Sequence, residues 1–299
     1  MLLLSIIFIA ILGCLAQTTG LCMVRGVKEM LAGKPLFLVS ILFSGTFVWG
    51  ALLVSSAFSY PINMPSYYPT YITALGGLIF GLGAAFNSGC GVSTISRLAR
   101  GQLVMLATIL GWLVSWFAFS NLFSGSTGES YEVTTFQQLV FLSLVSIPLI
   151  AIALRSEQAT KKLWFSMLTI GFMGGLVFIY EPHWTPSGLF KSMGLSLWDA
   201  DNAQWPRIER FMLFAALVLA MIVTALLTKS FQLEMIRLVS LFKHFAAGLF
   251  MGVGAVLAGG GNDTQLLVAL PALSLAGFVA IGFIVLGIVV GVKVQKWFA

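Results

Sequence analysis

Residues 71–100, YITALGGLIFGLGAAFNSGCGVSTISRLAR, decide how the chain folds. The stretch begins as an apolar helix of membrane grade, with Gly76, Gly77, Gly81 and Gly83 at helical spacing. It breaks at Asn87-Ser88-Gly89-Cys90-Gly91 and resumes as a short polar segment ending in Arg97 and Arg100. Two glycines around a cysteine, with hydroxyls and an amide beside them, are poor material for continuing a helix. They suit backbone that must come close to something else.

A counterpart lies late in the chain. Gly81-Leu82-Gly83-Ala84-Ala85-Phe86-Asn87-Ser88-Gly89-Cys90 aligns without gaps on Gly252-Val253-Gly254-Ala255-Val256-Leu257-Ala258-Gly259-Gly260-Gly261, so the cysteine of the first copy is a glycine in the second. Paired Gly-broken apolar segments in the two halves of a membrane protein point to a substrate site between them. A weaker match sets Thr19-Gly20-Leu21-Cys22 over Ser187-Gly188-Leu189-Phe190.

Composition agrees with a membrane setting. Of 299 residues, 59% are hydrophobic and only 9% charged, whereas a soluble domain carries about 25% charged residues. The basic balance, +6 at pH 7, does not indicate nucleic acid, because the lysines and arginines sit in short loops where the orientation rule for membrane proteins accounts for them. The three cysteines, Cys14, Cys22 and Cys90, form no CxxC and no metal spacing, and no cofactor or metal is expected. The N-terminal apolar run lacks the basic start of a secretory signal and reads as a retained first span.

Nine apolar segments approach the roughly 20 residues needed to cross a bilayer: 2–18, 36–59, 71–87, 103–123, 136–154, 163–180, 211–227, 245–260 and 273–292. With nine spans and the N-terminus outside, only Lys191, Arg207 and Arg210 of the sixteen Lys and Arg residues lie on the outer side. Treating the two Gly-broken segments as re-entrant hairpins instead splits the basic residues evenly, which is no bias at all. The expectation is therefore an all-α polytopic membrane protein, N-terminus periplasmic and C-terminus cytoplasmic, forming a single domain over 1–299. Segments one to four (about 1–125) and six to nine (about 160–299) form two inverted repeats, joined by a linking helix at about 133–155. The Gly-broken helices should meet near the membrane centre. Loop 181–210, with Trp184, Trp198 and Trp205, reads as extramembrane with interfacial aromatic anchors.

No charged residue and no histidine falls inside these spans, which excludes a carboxylate-driven antiporter, a voltage sensor and an intramembrane metalloprotease. Thiol, hydroxyl, amide, exposed backbone and helix ends remain. A broken helix offers free N–H groups and a positive dipole end, which suit a small anion, and thiols suit one that contains sulfur. The candidate binding residues are Cys22, Asn87, Ser88, Gly89, Cys90, Gly91, Ser93, Gly260, Gly261 and Asn262. Plainer explanations stand beside them. Gly77 and Gly81 fit simple helix packing, Cys14 a packing role, and Ser93, Thr94, Asn262, Asp263 and Thr264 the capping of short helices.

At these residues the chain resembles the YeeE/YedE family of bacterial inner-membrane transporters for sulfur compounds. The resemblance is carried by Gly20-Leu21-Cys22 after the first helix, by the G-x-G-A-A-x-x-x-G-C-G break, and by the second G-x-G-A-x-x-x-G-G. It implies an hourglass of helices whose short members point to the centre, and thiosulfate passed between cysteines through S–H···S contacts. It also makes a cytoplasmic sulfurtransferase-type protein a candidate acceptor. Cys22 and Cys90 match family cysteines, while Gly261 stands where the family has a third. The expected function is a permease, not an enzyme. The alternative is a membrane thiol enzyme, a sulfurtransferase or redox partner using Cys22 or Cys90, although no CxxC and no nearby histidine supports a thiolate.

Overall fold

A computed structural model describes residues 1–60, 62, 64–123, 128–198, 204–235 and 237–297. The described residues are helical apart from connections and one two-residue strand pair, β1 (Ser66–Tyr67) with β2 (Ser130–Tyr131). In order, the first half contains α1 (Leu2–Thr19), α2 (Met23–Leu31), α3 (Leu36–Leu42), α4 (Val48–Ala57), α5 (Tyr71–Asn87), α6 (Gly91–Ala99) and α7 (Met105–Phe119). A linking helix α8 (Thr135–Arg155) follows. The second half contains α9 (Gln158–Tyr180), α10 (Pro186–Trp198), α11 (Ile208–Leu227), α12 (Leu238–Ala258), α13 (Asn262–Thr264) with a π turn to Ala269, and α14 (Leu275–Trp297).

Among the described residues seven helical runs are long and apolar enough to cross a membrane, and the bent pair α3–α4 makes an eighth. The expected ninth span, α7, has 15 helical residues, about 22 Å against a hydrocarbon core of about 30 Å. Large apolar side chains such as Leu3, Leu144, Leu219 and Phe242 stand exposed around the bundle. That is tolerable in lipid and a liability in water.

The packing is organised by glycine. A Cβ on Gly76 or Gly83 of α5 would run into α12 backbone near Gly254 and Met251, whereas one on Gly77 or Gly81 would meet α14 at Ala280 and Gly287. Residues 76 and 83 of α5 face about 256 and 249 of α12, so these helices run antiparallel. Gly77 faces Ala280 and Gly291 faces Ala85, so α5 and α14 run parallel. Gly111 and Gly252 set α7 and α12 parallel in the same way. The pair α5/α14 thus corresponds to α12/α7 with direction reversed, which is an inverted repeat. With no hydrophobic force between helices in lipid, close backbone approach at such glycines holds the bundle together.

Three expectations need correction. Loop 181–210 is not an open loop: its described residues include helix α10, and Trp184 is buried inside the protein rather than free to act as an anchor, while Trp198 and Trp205 are exposed. The interior is not free of ionisable groups. Asp263 is 3% exposed, and His244 lies on α12, one residue before the span assigned from sequence. The weaker repeat match also fails. Cys22 is the residue before short helix α2, and its carbonyl accepts from Gly26 N; Thr185 holds that place before α10, its carbonyl accepting from Leu189 N. The counterpart of Cys22 is therefore Thr185, not Phe190.

Candidate functional site

Both helix breaks have one geometry. α5 ends on Ser88 in the left-handed conformation (φ 58°), and α12 ends on Gly259 (φ 77°). Cys90 and Gly261 then precede the short helices with nearly equal torsions (φ −80°, ψ −179° and φ −76°, ψ −177°). The next turn presses close on the glycine before each. A Cβ on Gly89 would stand 2.8 Å from Ser93 Oγ, and one on Gly260 2.8 Å from Thr264 Cβ.

Because α5 and α12 are antiparallel, Ser88 and Gly259 lie at opposite ends of the pair, about 20 Å apart along the axis. Each break spans three residues, a reach of about 10 Å, and carries the chain back toward the middle. There Asn262 Oδ1 accepts from Gly91 N at 3.1 Å. These two residues occupy the same place in the two repeats, so the contact crosses the pseudo-twofold axis. Trp112 of α7 fills the space beside it, against both Gly91 and Gly261, edge-on to Phe80 and Phe190. Its indole N–H is buried with no partner among the described residues.

Around this crossing the two halves use different chemistry. On the first-half side Cys22 and Cys90 are buried neighbours, and the buried Ser93 Oγ lies 3.6 Å from Cys90 Sγ. Both thiols are free. On the second-half side Thr185 Oγ1 and Thr264 Oγ1 are 2.7 Å apart. Thr264 is the repeat partner of Ser93 and Thr185 that of Cys22, so a sulfur contact in one half is an oxygen contact in the other. Asp263 accepts from the backbone N of Ser187 at 2.9 Å and from its hydroxyl, which caps the start of α10. Capping was the role expected of it, but the helix it caps is not its own.

The candidate residues divide between this crossing and its frame. Cys22, Cys90, Gly91, Ser93, Gly261 and Asn262 gather at the crossing. Ser88 lies at the mouth of an open cleft with Cys22, Arg25, Lys28 and Lys34. Asn87 supports the break. Its amide donates to Gly89 O (3.0 Å) and Thr94 Oγ1 (2.8 Å), and its Oδ1 accepts from Thr108 Oγ1 (2.7 Å). Since Thr108 already donates there, His244 Nδ1, 2.8 Å from the same oxygen, is also a donor. Arg97 donates to Asn87 O and Arg100 to Gln17 O, placing cations at the C-terminal ends of α5 and α1. These arginines, expected in a loop, tie α6 into the bundle.

Cys14 lies apart from the crossing, its sulfur 3.9 Å from Ala220 O on α11. Among the described residues no cluster of metal-binding side chains occurs. Sequence reasoning missed Trp112, Thr185, Ser187, Lys191 and His244. Thr264 was legible as the repeat partner of Ser93, but Thr185 was hidden behind the false register over Phe190.

The third cysteine of the resembled family has no vacant place here. A Cβ at Gly261 would stand 2.5 Å from Ser187 Oγ, 2.8 Å from Asp263 Oδ1 and 3.1 Å from Trp112. Gly261→Cys should therefore break the Ser187–Asp263 cap. Freeing that carboxylate costs about 1–3 kcal/mol, and a thermal-shift measurement on the purified protein should show a lower melting temperature. An unchanged or higher melting temperature would contradict this geometry.

A family profile described as "Sulphur transport" matches residues 18–156 and again residues 148–290. No curated protein matches the chain.

Proposed function

The chain belongs to the sulphur-transport family, and on that premise we propose that it is an inner-membrane permease for thiosulfate or a closely related small sulfur-containing anion. The observation that carries the reading is the crossing of the two broken helices, where Gly91 and Asn262 touch across the repeat axis beside the Cys22–Cys90–Ser93 cluster. Helix N-termini supply N–H donors and favourable dipole ends for the anion, and the thiols supply soft contacts for its sulfur. The small space beside Cys90, Asn262 and Asp263 measures about 10 Å³, close to the room needed for one water. The resting crossing is in this reading a constriction, widened by movement of Trp112 or of the short helices. Orientation follows from the basic residues: N-terminus periplasmic, with Arg25, Lys28 and Lys34 at the cytoplasmic mouth.

Cys22 and Cys90, distant in sequence, are brought together, and a thiol pair is also what a sulfurtransferase or disulfide-exchange enzyme uses. One experiment separates the readings. Proteoliposomes holding the purified protein, with no acceptor inside, are given labelled thiosulfate, sulfite or sulfate. A permease fills the vesicles with unmodified thiosulfate faster than with sulfate. An enzyme leaves the lumen empty and labels the protein with transferred sulfur. Asp263, buried near the crossing, is an acid that could couple movement to protons, so the assay is run with and without a proton gradient.

A further inference from the structure

The recess at the Gly259 end of α12 has its own chemistry. It measures about 150 Å³, and among the described residues its lining includes one lysine, Lys191, and no carboxylate. Lys191 lies on the second turn of α10. Its Nζ makes one long hydrogen bond, 3.4 Å to Gly259 O, and no ion pair among the described residues. An ammonium has three donors, so most of the donor capacity of this half-buried side chain is not taken up by the described residues. The nearby acids are committed elsewhere, Glu181 to Arg210 at 2.9 Å and Asp263 to Ser187.

Thr185 and Thr264, which share one hydrogen bond, line the same recess. Thr185 Oγ1 also accepts from Gly188 N. Two hydroxyl protons and one mutual bond leave one proton without a partner among the described residues, whichever threonine donates.

The opposite cleft repeats the placement of the lysine, and the one carboxylate in its lining, Glu29, is paired with Arg25 at 2.8 Å. Lys28 stands six residues after Cys22, as Lys191 stands six after Thr185. Lys28 lines its cleft with Ser88, the left-handed end of α5, as Lys191 does with Gly259, the left-handed end of α12. A lysine near one helix C-terminus is by itself a common cap. A lysine at the equivalent place in both vestibules, one beside a spare hydroxyl proton in a recess lined by no acid, is the pattern of an anion route.

We propose that Lys191 and the Thr185–Thr264 pair form an oxyanion-capture site in the outer vestibule, with Lys28 as its counterpart at the inner mouth. The inference rests on the transport reading and deepens it. Ammonium and hydroxyl donors recognise the oxygen end of a sulfur oxyanion before the ion reaches the thiols. They hold sulfate as well as thiosulfate, so discrimination between the two falls to the crossing.

The test uses the full-length protein in intact cells and in detergent. Lys191→Gln should raise the KM for thiosulfate about fivefold with little change in maximal rate and weaken inhibition of uptake by sulfate, while Lys191→Arg stays near the parent. Lys191→Cys should behave as Lys191→Gln, then regain uptake when an impermeant cationic thiol reagent is added from outside. The parent treated alike controls for the native thiols. The proposal is overturned if Lys191→Gln keeps the parent's KM, if Lys191→Arg is as impaired as Lys191→Gln at equal folded yield, or if the external reagent restores nothing. A parent that moves no sulfur anion would end the transport reading instead. In that case protection of the purified protein by sulfate against thermal unfolding still reports on the Lys191 site, and equal protection of parent and Lys191→Gln overturns it.

Discussion

Replacing Gly254 by leucine should abolish recovery of a folded, monodisperse protein, whereas Gly282→Leu in the same membrane should be nearly silent. At Gly254 a Cβ would stand 2.6 Å from Phe80 Cα and 2.7 Å from Gly76 O. These are backbone atoms of α5, which cannot rotate away as a side chain would. Overpacking of a tight core costs about 1–3 kcal/mol when side chains can yield, and here the helix pair itself must separate. Separation would also pull apart the breaks at Ser88 and Gly259, so folding and site fail together. At Gly282 a Cβ would meet nothing within 4 Å, and a leucine there faces only lipid. Fluorescence-detected size exclusion of both variants, solubilised in mild detergent, checks the contrast. A well-folded Gly254→Leu protein would show that α5 and α12 do not pack as described.

Replacing Cys22 and Cys90 together by serine should leave the fold intact yet lower thiosulfate uptake about tenfold. Serine is nearly the same shape, and its hydroxyl has Ser93 beside it, since Ser93 Oγ is 3.6 Å from Cys90 Sγ. The packing loss is therefore small. What disappears is the soft sulfur surface offered to the ion. A tenfold change corresponds to roughly 1.4 kcal/mol, about 0.7 kcal/mol for each of the two contacts. Each single substitution should give a smaller loss. Cys14→Ser should give none, because that sulfur touches α11 and lies outside the crossing. Initial uptake rates normalised to membrane expression provide the measurement. If the double variant transports like the parent, the thiols are packing residues and the route does not depend on them.

Much of this architecture was already legible in the chain. The apolar segments, the broken helix at residues 87–91 and its gapless counterpart at 258–262 follow from local chemistry: glycine ends helices, and a bilayer demands long apolar runs. The packing role of Gly77 and Gly81 was legible for the same reason. Cys22, Cys90, Gly91, Ser93 and Asn262 could be named because they sit at the breaks.

Only the tertiary structure decided which of these groups face one another. Asn87 looks in sequence like a ligand amide, but its hydrogen-bonding capacity is taken up by Thr94, Gly89, Thr108 and His244, three of which belong to other elements. Asp263 looks like a local cap and instead caps a helix 76 residues away. Trp112 carries no local signal, because an indole in an apolar helix is ordinary until two glycines from different halves converge on it. Cys22 and Cys90 approach each other, and Thr185 meets Thr264, because antiparallel helices return both breaks to one crossing. Spacing along the chain encodes where helices break. Side-chain proximity across two inverted repeats depends on how those helices pack, which no single stretch contains.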